Sequence, residues 1–549
     1  MKILLIQPPI EDFYDTEIRL QPLGLCMLKS AVKKHLPGLE IAVRDFHQGF
    51  GRRTVPIPPG ISYLGDYYGF PDRSPFSSFH RYYRFGASLE EIGRSVAEER
   101  PQFVGISSLF SPYHGEALAC AGEIKRRLGV PVIMGGSHVS CAPGNVLSDP
   151  LVDFIIRGEG ERPLVEFLKA FLSGGDLHGV PNLGFKEGGK PILNPVEDNY
   201  PIEDLPFADF SDLGTDRYLF EGKPLCFITT TRGCPHLCTF CSVHLTFGHA
   251  FRCRSPENVL SEIFLRYREG YRVIDFEDDN ISFLGDGFKR LLRLLILAFP
   301  RGDVRFTAMN GISYHSLDGE TLRLMKRAGF THLNLSLVSA NPGVLSRVRR
   351  PHGVARFLEV VEQGRALGFD MTAYLILGLP CETLEEMIRT LALLARLPVR
   401  IGASLFYLTP GSPMALEFPE IAPEDMLRSR STAMALETEY ACRDDLYTLF
   451  VAARVLNFLK GLRGIQGCLP LKRAIDHART GRPRDGIGGD ILQRLFTEKI
   501  LYASTHQGLE PLPRFKANLF FRVLESAGSI RILQNGIIDC TPLPRPDDF

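Results

Sequence analysis

The stretch TTTRGCPHLCTFCSVH (residues 229–244) holds three cysteines, at positions 234, 238 and 241. Cysteines at i, i+4 and i+7 would share one face of a helix, where free thiols pack as small apolar groups. Gly233 and Pro235 instead predict a turn at Cys234. Because a turn lets three sulfur atoms converge on one point, the stretch predicts a metal centre that follows a strand.

Two kinds of metal centre suit such a turn. Zinc normally takes four ligands in two close pairs, and the sequence has no second Cys-x2-Cys pair. Residues that would complete a zinc set are Cys226, His236, His244, His249 and Cys253. A [4Fe–4S] cluster usually takes four cysteines, so three cysteines leave one iron open to a small chelating ligand. We favour the iron–sulfur cluster on this spacing.

The composition bounds the class of protein. Lys plus Arg and Asp plus Glu each number 63, so no overall field attracts nucleic acid or an anionic membrane. The longest apolar run, residues 291–299, contains Arg293 and is shorter than the ~20 residues of a membrane span. The opening MKILLIQPP lacks the pattern of a signal peptide, and 12 cysteines in 549 residues are too few for a disulfide scaffold. We expect a cytoplasmic protein with no membrane span and no nucleic-acid partner.

The length predicts about three domains. Residues 1–173 alternate short apolar runs with helical patterns, which predicts a doubly wound parallel sheet with strands at 2–6, 39–43, 103–110, 130–136 and 152–161. Residues 51–86 are an insertion rich in Gly, Pro, Tyr and Phe, and residues 174–223 read as a linker. Residues 224–417 contain six further β/α units, which is three quarters of a (β/α)8 barrel. Residues 418–549 are mainly helical and are a candidate cap over the substrate.

The Cys-x3-Cys-x2-Cys motif at the first strand of a six-unit partial barrel resembles that of the radical S-adenosylmethionine (SAM) enzymes. In that family the cysteines matched by Cys234, Cys238 and Cys241 hold a [4Fe–4S] cluster, and SAM chelates the open iron. Electron transfer from the reduced cluster cleaves SAM to a 5′-deoxyadenosyl radical. The resemblance implies an electron donor such as flavodoxin or ferredoxin.

Later strand ends extend the resemblance. DFEDDN (275–280) follows the second strand, where the family binds the SAM ammonium with polar or acidic groups, although acids at such a point also cap helices. LNLSLVSAN (333–341) keeps only the serine of a Gly-x-Glu-Ser pattern, because Val338 replaces the glutamate. LILGLPCET (375–383) and YLTPGSPMA (407–415) match the endings of the fifth and sixth strands. The implied SAM contacts are Phe240, Asp278, Asp279, Ser336, Ser339 and Gly378.

The first domain resembles the cobalamin-binding domain of cobalamin-type radical SAM enzymes. SSL (107–109) and GG (135–136) match its Ser-x-Leu and Gly-Gly elements, and GGSH with VDFIIRGEGERPLVEFL extends the match. The implied cobalamin contacts are Ser107, Ser108, Leu109, Gly135, Gly136, His138, Gly158 and Glu159. The family's cobalt-ligating Asp-x-His-x-x-Gly element is absent, since DFHQG (45–49) is one residue short and follows the second strand. We therefore expect His47 to be a loop histidine, and a domain that has lost its cofactor is the alternative.

These resemblances imply a radical SAM enzyme that methylates an unactivated carbon of a small or lipid-like substrate with the help of cobalamin. One alternative is radical cyclisation or carbon–carbon coupling, of the magnesium-protoporphyrin cyclase type, without methyl transfer. An alternative of another class is an iron–sulfur redox sensor, which needs no SAM site. Under the enzyme interpretation Cys226, His236 and His244 take no part in cofactor binding.

Overall fold

The structure is a computed structural model that describes residues 1–16, 20–310, 312–351, 353–418 and 426–549. The expected start of the C-terminal region, near residue 418, adjoins residues 419–425, which lie outside these ranges. Among the described residues, no helix is both long enough and apolar enough to cross a bilayer.

The N-terminal sheet has seven strands. In spatial order they are Lys190–Leu193, Leu183–Glu187, Phe154–Ile156, Val132–Gly135, Phe103–Ser107, Lys2–Gln7 and Glu40–Asp45. The last five in this order are parallel, as expected, and the first two are antiparallel. Alternate residues of Lys2–Gln7 enter two separate cores, because successive side chains of a strand point to opposite faces. Helices Leu23–His35 and Glu161–Ser173 cover one face, and Leu89–Glu99 and His114–Leu128 cover the other.

The predicted linker is more structured than its composition indicates. Its strands Leu183–Glu187 and Lys190–Leu193 form a hairpin that extends the N-terminal sheet at Phe154–Ile156. The turn of this hairpin is Gly188–Gly189, with φ +56° and +79°. The Pro- and Gly-rich composition therefore marks tight turns here and not a chain without strands.

Six parallel strands form the partial barrel, as the sequence predicts. They are Lys223–Ile228, Val273–Phe276, Arg305–Thr307, His332–Val338, Asp370–Leu377 and Arg400–Leu405. The first three and the last three are joined by single parallel bridges, Phe306 to Phe330 and Ile312 to Leu335. Five outer helices follow the first five strands in turn: Pro256–Arg268, Asp286–Ala298, Gly319–Ala328, Val354–Ala366 and Leu384–Ala395.

The C-terminal region closes the edge of the barrel at its sixth strand. Its main helices are Arg443–Lys460, Leu471–Arg479, Pro483–Glu498 and Ala517–Ala527. The side-chain amide of Asn457 donates to the carbonyl of Ile401 at 2.8 Å and accepts from the N–H of Ile401 at 2.9 Å. One side chain thus bonds to both backbone groups of Ile401 at the edge of the sheet. A small three-stranded sheet completes the region, with the strands Cys468–Pro470, Ile537–Asp539 and Ser529–Arg531 in spatial order.

The 51–86 insertion joins the N-terminal sheet to the C-terminal region. Its aromatic rings pack on helix Arg443–Lys460, with Tyr67 against Tyr447 at 5.3 Å between ring centroids and Phe76 against Phe458 at 5.8 Å. The buried Tyr68 hydroxyl donates to the carbonyl of Thr432 at 2.9 Å. The insertion thus forms part of the core between the first and last regions of the chain.

Candidate functional site

The three cysteines lie in a loop and not on a helix, as the turn chemistry predicts. The loop leaves the short strand Thr231–Arg232 and ends at helix Val243–Phe247. Gly233 has φ +84°, and a side chain there would overlap the carbonyl oxygen of Ala250. The backbone of Thr239 bonds to the carbonyl of Val348 at 3.1 Å and to the N–H of Met414 at 2.8 Å. These contacts fix the loop to the segments that follow the fourth and sixth barrel strands.

A cavity of about 490 Å³ lies against this loop, and we call it the cysteine cavity. All three cysteines line it, as do Phe240, Asp279, Ser336 and Arg350. The three thiols are unpaired, and burial raises the pKa of Cys241 to about 11. Within the described ranges, no three His, Cys, Asp or Glu side chains are gathered at the distances of a single-metal site. A [4Fe–4S] cube takes one thiolate per iron, so its ligands line a cavity wide enough for the cube.

The two adjacent acids of the second strand end have different surroundings. Asp279 lines the cysteine cavity. Burial raises its pKa to about 6, although a hydrogen bond from the Gly233 N–H acts in the opposite direction. Asp278 is 2% exposed and is not among the lining residues. Its Oδ1 accepts from the N–H and hydroxyl groups of both Thr230 and Thr231, while Oδ2 has no partner among the described residues. Asp278 therefore anchors the start of the cysteine loop.

The two serines of the fourth strand end also separate. Ser336 lines the cavity and accepts from Arg350 Nη2 at 3.0 Å. Ser339 is fully buried, away from the cavity lining, and donates to Glu382 Oε1 at 2.7 Å. The strand register shifts between Ser336 and Val338, whose φ is +71°. This bulge turns the following residues away from the cavity.

Gly378 has φ +84°, and a Cβ there would lie 2.9 Å from Leu446 Cδ2 of helix Arg443–Lys460. The space beside this glycine is therefore taken by the C-terminal region, and Gly378 is not among the residues that line the cysteine cavity.

A second cavity of about 300 Å³ lies at the carboxyl edge of the N-terminal sheet, and we call it the sheet-edge cavity. The predicted cobalamin contacts that line it are Ser107, Leu109, Gly135, Gly136, Gly158 and Glu159. A Cβ at Gly135 would meet nothing closer than the Ile156 carbonyl oxygen at 3.8 Å, so this residue leaves open space at the cavity wall. The apolar wall with small residues at the strand ends fits the slot that the tail of cobalamin requires.

Ser108 and His138, also predicted as cobalamin contacts, face a buried histidine pair instead. The rings of His138 and His114 lie 4.4 Å apart, and their Nδ1 atoms bond to Ser111 and Ser108 respectively at 2.9 and 3.0 Å. Burial lowers the pKa of His138 to about 3 and that of His114 to about 4, so both are neutral at pH 7. His47 follows strand Glu40–Asp45, is fully buried, and contacts the Phe85 carbonyl at 3.3 Å.

A buried ion network joins the sheet-edge cavity to the cysteine loop. Arg232, two residues before Cys234, donates to Glu161 at 2.5 and 3.2 Å and lies 3.5 Å from Glu159. Glu159 also accepts from Arg252 at 3.0 Å. Burial opposes ionisation of Glu161, yet Arg232 holds its pKa below the ordinary value. Glu159, predicted as a ligand contact, is thus already paired with cations.

The two cavities are neighbours at the top of the barrel. Asn310, which lines the cysteine cavity, donates to Glu277 of the sheet-edge cavity at 2.5 Å. The loop between Thr231 and Phe247 contributes its cysteines to one cavity and Arg232, Thr246 and Phe247 to the other. The Asn310–Glu277 pair and this loop therefore lie between the two sites.

Comparison with known proteins agrees with this layout. The profile of the Radical SAM superfamily matches residues 228–394, and that of the B12 binding domain matches residues 80–168. An uncharacterized methyltransferase of Pyrococcus horikoshii is 28% identical over 317 residues, 57% of this chain and 68% of the relative. The cytidylyl-2-hydroxyethylphosphonate methyltransferase of Streptomyces wedmorensis is 27% identical over 433 residues, 70% of this chain and 75% of the relative.

The anaerobic magnesium-protoporphyrin IX monomethyl ester cyclase of Cereibacter sphaeroides is 25% identical over 320 residues, 55% of this chain and 50% of the relative. Among solved structures, the radical SAM methyltransferase TsrM from Kitasatospora setae, with tryptophan and a SAM analog bound, matches with a TM-score of 0.59 and 19% identity over 76% of each chain. At this identity the likeness to TsrM shows the fold.

A three-thiol loop on a partial barrel, preceded by an α/β sheet with a slot at its carboxyl edge, defines an enzyme with two adjoining cofactor sites. The matched domains, in the order B12-binding then radical SAM, place the chain among the radical SAM enzymes that carry an N-terminal B12-binding domain. Its cofactors are a [4Fe–4S] cluster, SAM and cobalamin.

Sequence reasoning missed several lining residues. Arg350 reaches within 3.8 Å of Cys238 Sγ, and Asn310 connects the two cavities. His236 and His244, expected to take no part in cofactor binding, line the cysteine cavity, whereas Cys226 is buried in the core. No local pattern marks Asn310 or Arg350, because each reaches the site only through the barrel topology.

Proposed function

We propose that the protein methylates an unactivated carbon of a small or lipid-like substrate, using SAM and cobalamin at the two adjoining sites. The adjacency of the cavities carries the proposal, because Asn310 and Glu277 form one wall between them. A substrate carbon held at this wall is within reach of both cofactors. When an enzyme holds two reactants together in one site, the entropic part of the activation free energy is lower.

When bound, the cofactors supply a 5′-deoxyadenosyl radical for hydrogen abstraction and a methyl group for transfer. In this proposal Cys234, Cys238 and Cys241 hold the cluster. The Asp279 carboxylate accepts a hydrogen bond from the SAM ammonium. Arg350, fixed by Ser336, offers a cation to the SAM carboxylate.

The remaining predicted SAM contacts divide between the cavity wall and the surrounding structure. Phe240 and Ser336 complete the SAM wall, since both line the cysteine cavity. Asp278, Ser339 and Gly378 act by positioning, since their contacts are to the protein.

The sheet-edge cavity is the proposed cobalamin site. Ser107, Leu109, Gly135 and Gly158 form its wall, while Ser108 and His138 support the loops behind it. We further propose a small donor such as flavodoxin or ferredoxin as the source of the electron, a cytoplasmic location and no nucleic-acid partner. The net charge of zero supports the absence of a polyanionic partner.

The test uses the half-reaction that needs no substrate. Anaerobically reconstituted protein is loaded with cobalamin, reduced, and given SAM with a deuterated methyl group. Retention of about one cobalamin per chain and appearance of the deuterated methyl on cobalt support methyl transfer. SAM cleavage without cobalamin retention would instead favour radical cyclisation or coupling, the candidate to which the similarity to the cyclase points.

Two substitutions of Gly135 test whether cobalamin binds in the sheet-edge cavity. Gly135→Leu places a bulky side chain into the sheet-edge cavity, whereas Gly135→Ala adds one methyl group in open space. We expect the leucine variant to lose cobalamin and keep the cluster, and the alanine variant to keep both. Equal cobalamin retention by the two variants would show that cobalamin binds elsewhere.

A further inference from the structure

Arg349 has a backbone conformation that arginine rarely adopts. Its φ is +52°, and it follows helix Pro342–Arg347 at the position where glycine or asparagine usually ends a helix. The Arg349 N–H bonds to the Ser346 carbonyl at 3.1 Å, and the next N–H bonds to the Leu345 carbonyl at 2.8 Å. Glycine would be more stable in this turn, and residues held in such conformations concentrate at functional sites.

The side chain of Arg349 lines the mouth of the cysteine cavity. It is exposed there beside the exposed residues Leu237 and His249. In the part of the chain that the structure describes, the Arg349 guanidinium has neither an ion pair nor a hydrogen bond to another side chain. An unpaired guanidinium at a cavity mouth presents a planar fork of donors, which suits carboxylate and phosphoryl oxygens.

The rest of the cavity lining does not neutralise this cation. Asp279 is the lone carboxylate among the lining residues that the structure describes, and it lies next to the cysteine loop. Arg350, the second lining arginine, is bound to Ser336 and lies against Cys238. Among the described lining residues, the Arg349 guanidinium therefore remains without a side-chain partner.

We propose that Arg349 binds an anionic group of the substrate, either phosphoryl or carboxylate, at the mouth of the cysteine cavity. The inference rests on the proposed function and adds the substrate class to it. The anion would anchor the substrate at Arg349 while its reacting carbon lies against Asn310, at the wall between the two cavities. A bidentate guanidinium contact contributes a factor of about 10 to 100 in affinity.

The test compares three probes of similar size, butylphosphonate, butyrate and butanol, on the reconstituted enzyme with SAM bound. Titration calorimetry is done on the wild type, Arg349→Gly, Arg349→Asn and Arg349→Lys. We expect the wild type to bind at least one anionic probe about 10-fold or more tightly than butanol. The glycine and asparagine variants should lose this preference and unfold at the same temperature or higher, because both residues suit the turn. The lysine variant should retain part of the preference.

Two further readouts separate this inference from the function on which it rests. SAM affinity and 5′-deoxyadenosine formation should stay within about twofold in the Arg349 variants, since Arg350 is the cation near the thiols. Equal binding of butanol and both anions by the wild type would overturn the inference, as would a parallel loss of SAM affinity in Arg349→Asn. Failure of the wild type to cleave SAM would instead refute the proposed function.

Discussion

Replacing Arg232 with methionine removes the cation at the centre of the ion network between the two cavities. The Arg232 guanidinium is buried, and Glu161 is its main partner. In the variant Glu159 keeps its ion pair with Arg252, at 3.0 Å. The Glu161 carboxylate keeps a 2.6 Å hydrogen bond from the Asn199 amide and one from its own backbone N–H. The variant thus leaves one buried carboxylate without a cation.

The loss of stability in the variant can be estimated from this one unpaired carboxylate. Breaking a buried ion pair by removing one partner costs about 3–5 kcal/mol, and the surviving bond from Asn199 favours the lower end, about 3 kcal/mol. The double variant Arg232→Met with Glu161→Gln removes both charges and should recover most of this loss. A matched surface change, Arg494→Met, breaks a pair at the exposed Glu498 and should cost less than about 1 kcal/mol.

The pH dependence gives a second signature. In the native protein the pKa of Glu161 lies below its ordinary value, so the pair stabilises the fold above the unfolded pKa of about 4.3 and is lost as the pH falls through the folded pKa. In the methionine variant burial without a cation raises the pKa of Glu161. The difference between the two proteins should therefore be largest at a pH above the raised pKa of Glu161 in the variant, and it should shrink as the pH falls through that pKa.

Urea unfolding of the apo protein, followed by far-ultraviolet circular dichroism because the chain has no tryptophan, measures both signatures. A loss of stability that is independent of pH, or one that the double variant does not recover, would show that Arg232 acts through packing and not through its charge.

The remaining predictions concern the cysteine loop and the C-terminal region. Gly233→Ala should cut iron content after reconstitution by more than half, because its side chain would overlap the Ala250 carbonyl. The control Gly115→Ala, where an added Cβ meets nothing within 4 Å, should retain full iron. Lys460→Met should lower the free energy of unfolding by about 1–3 kcal/mol, because the buried Nζ of Lys460 has four backbone carbonyls within hydrogen-bond distance, which its N–H groups share. Unchanged urea unfolding would refute this role.

The fold and the thiol loop were predictable because their signals are local. Alternation of apolar residues predicts buried strands, and the Gly and Pro around Cys234 predict a turn. The six barrel strands and the five parallel strands of the first sheet follow from such patterns. The antiparallel hairpin at 183–193 was missed because its Gly and Pro residues resemble those of a linker.

The detailed site was less predictable because side-chain direction depends on one residue of register. Asp278 and Asp279 are neighbours in sequence, yet one faces the threonines and the other the cavity. A bulge at Val338 similarly separates Ser336 from Ser339. A sequence pattern gives the strand end where a ligand binds, but not the face that each side chain takes.

The most direct test of the account is anaerobic reconstitution of the wild type and of Cys238→Ala, followed by iron analysis and an assay for 5′-deoxyadenosine after reduction with SAM present. The account predicts about four irons per chain and 5′-deoxyadenosine formation in the wild type, and loss of both in the variant. An intact cluster in Cys238→Ala, or a wild type with four irons that leaves SAM uncleaved, would contradict the assignment of these three cysteines to a SAM-cleaving cluster.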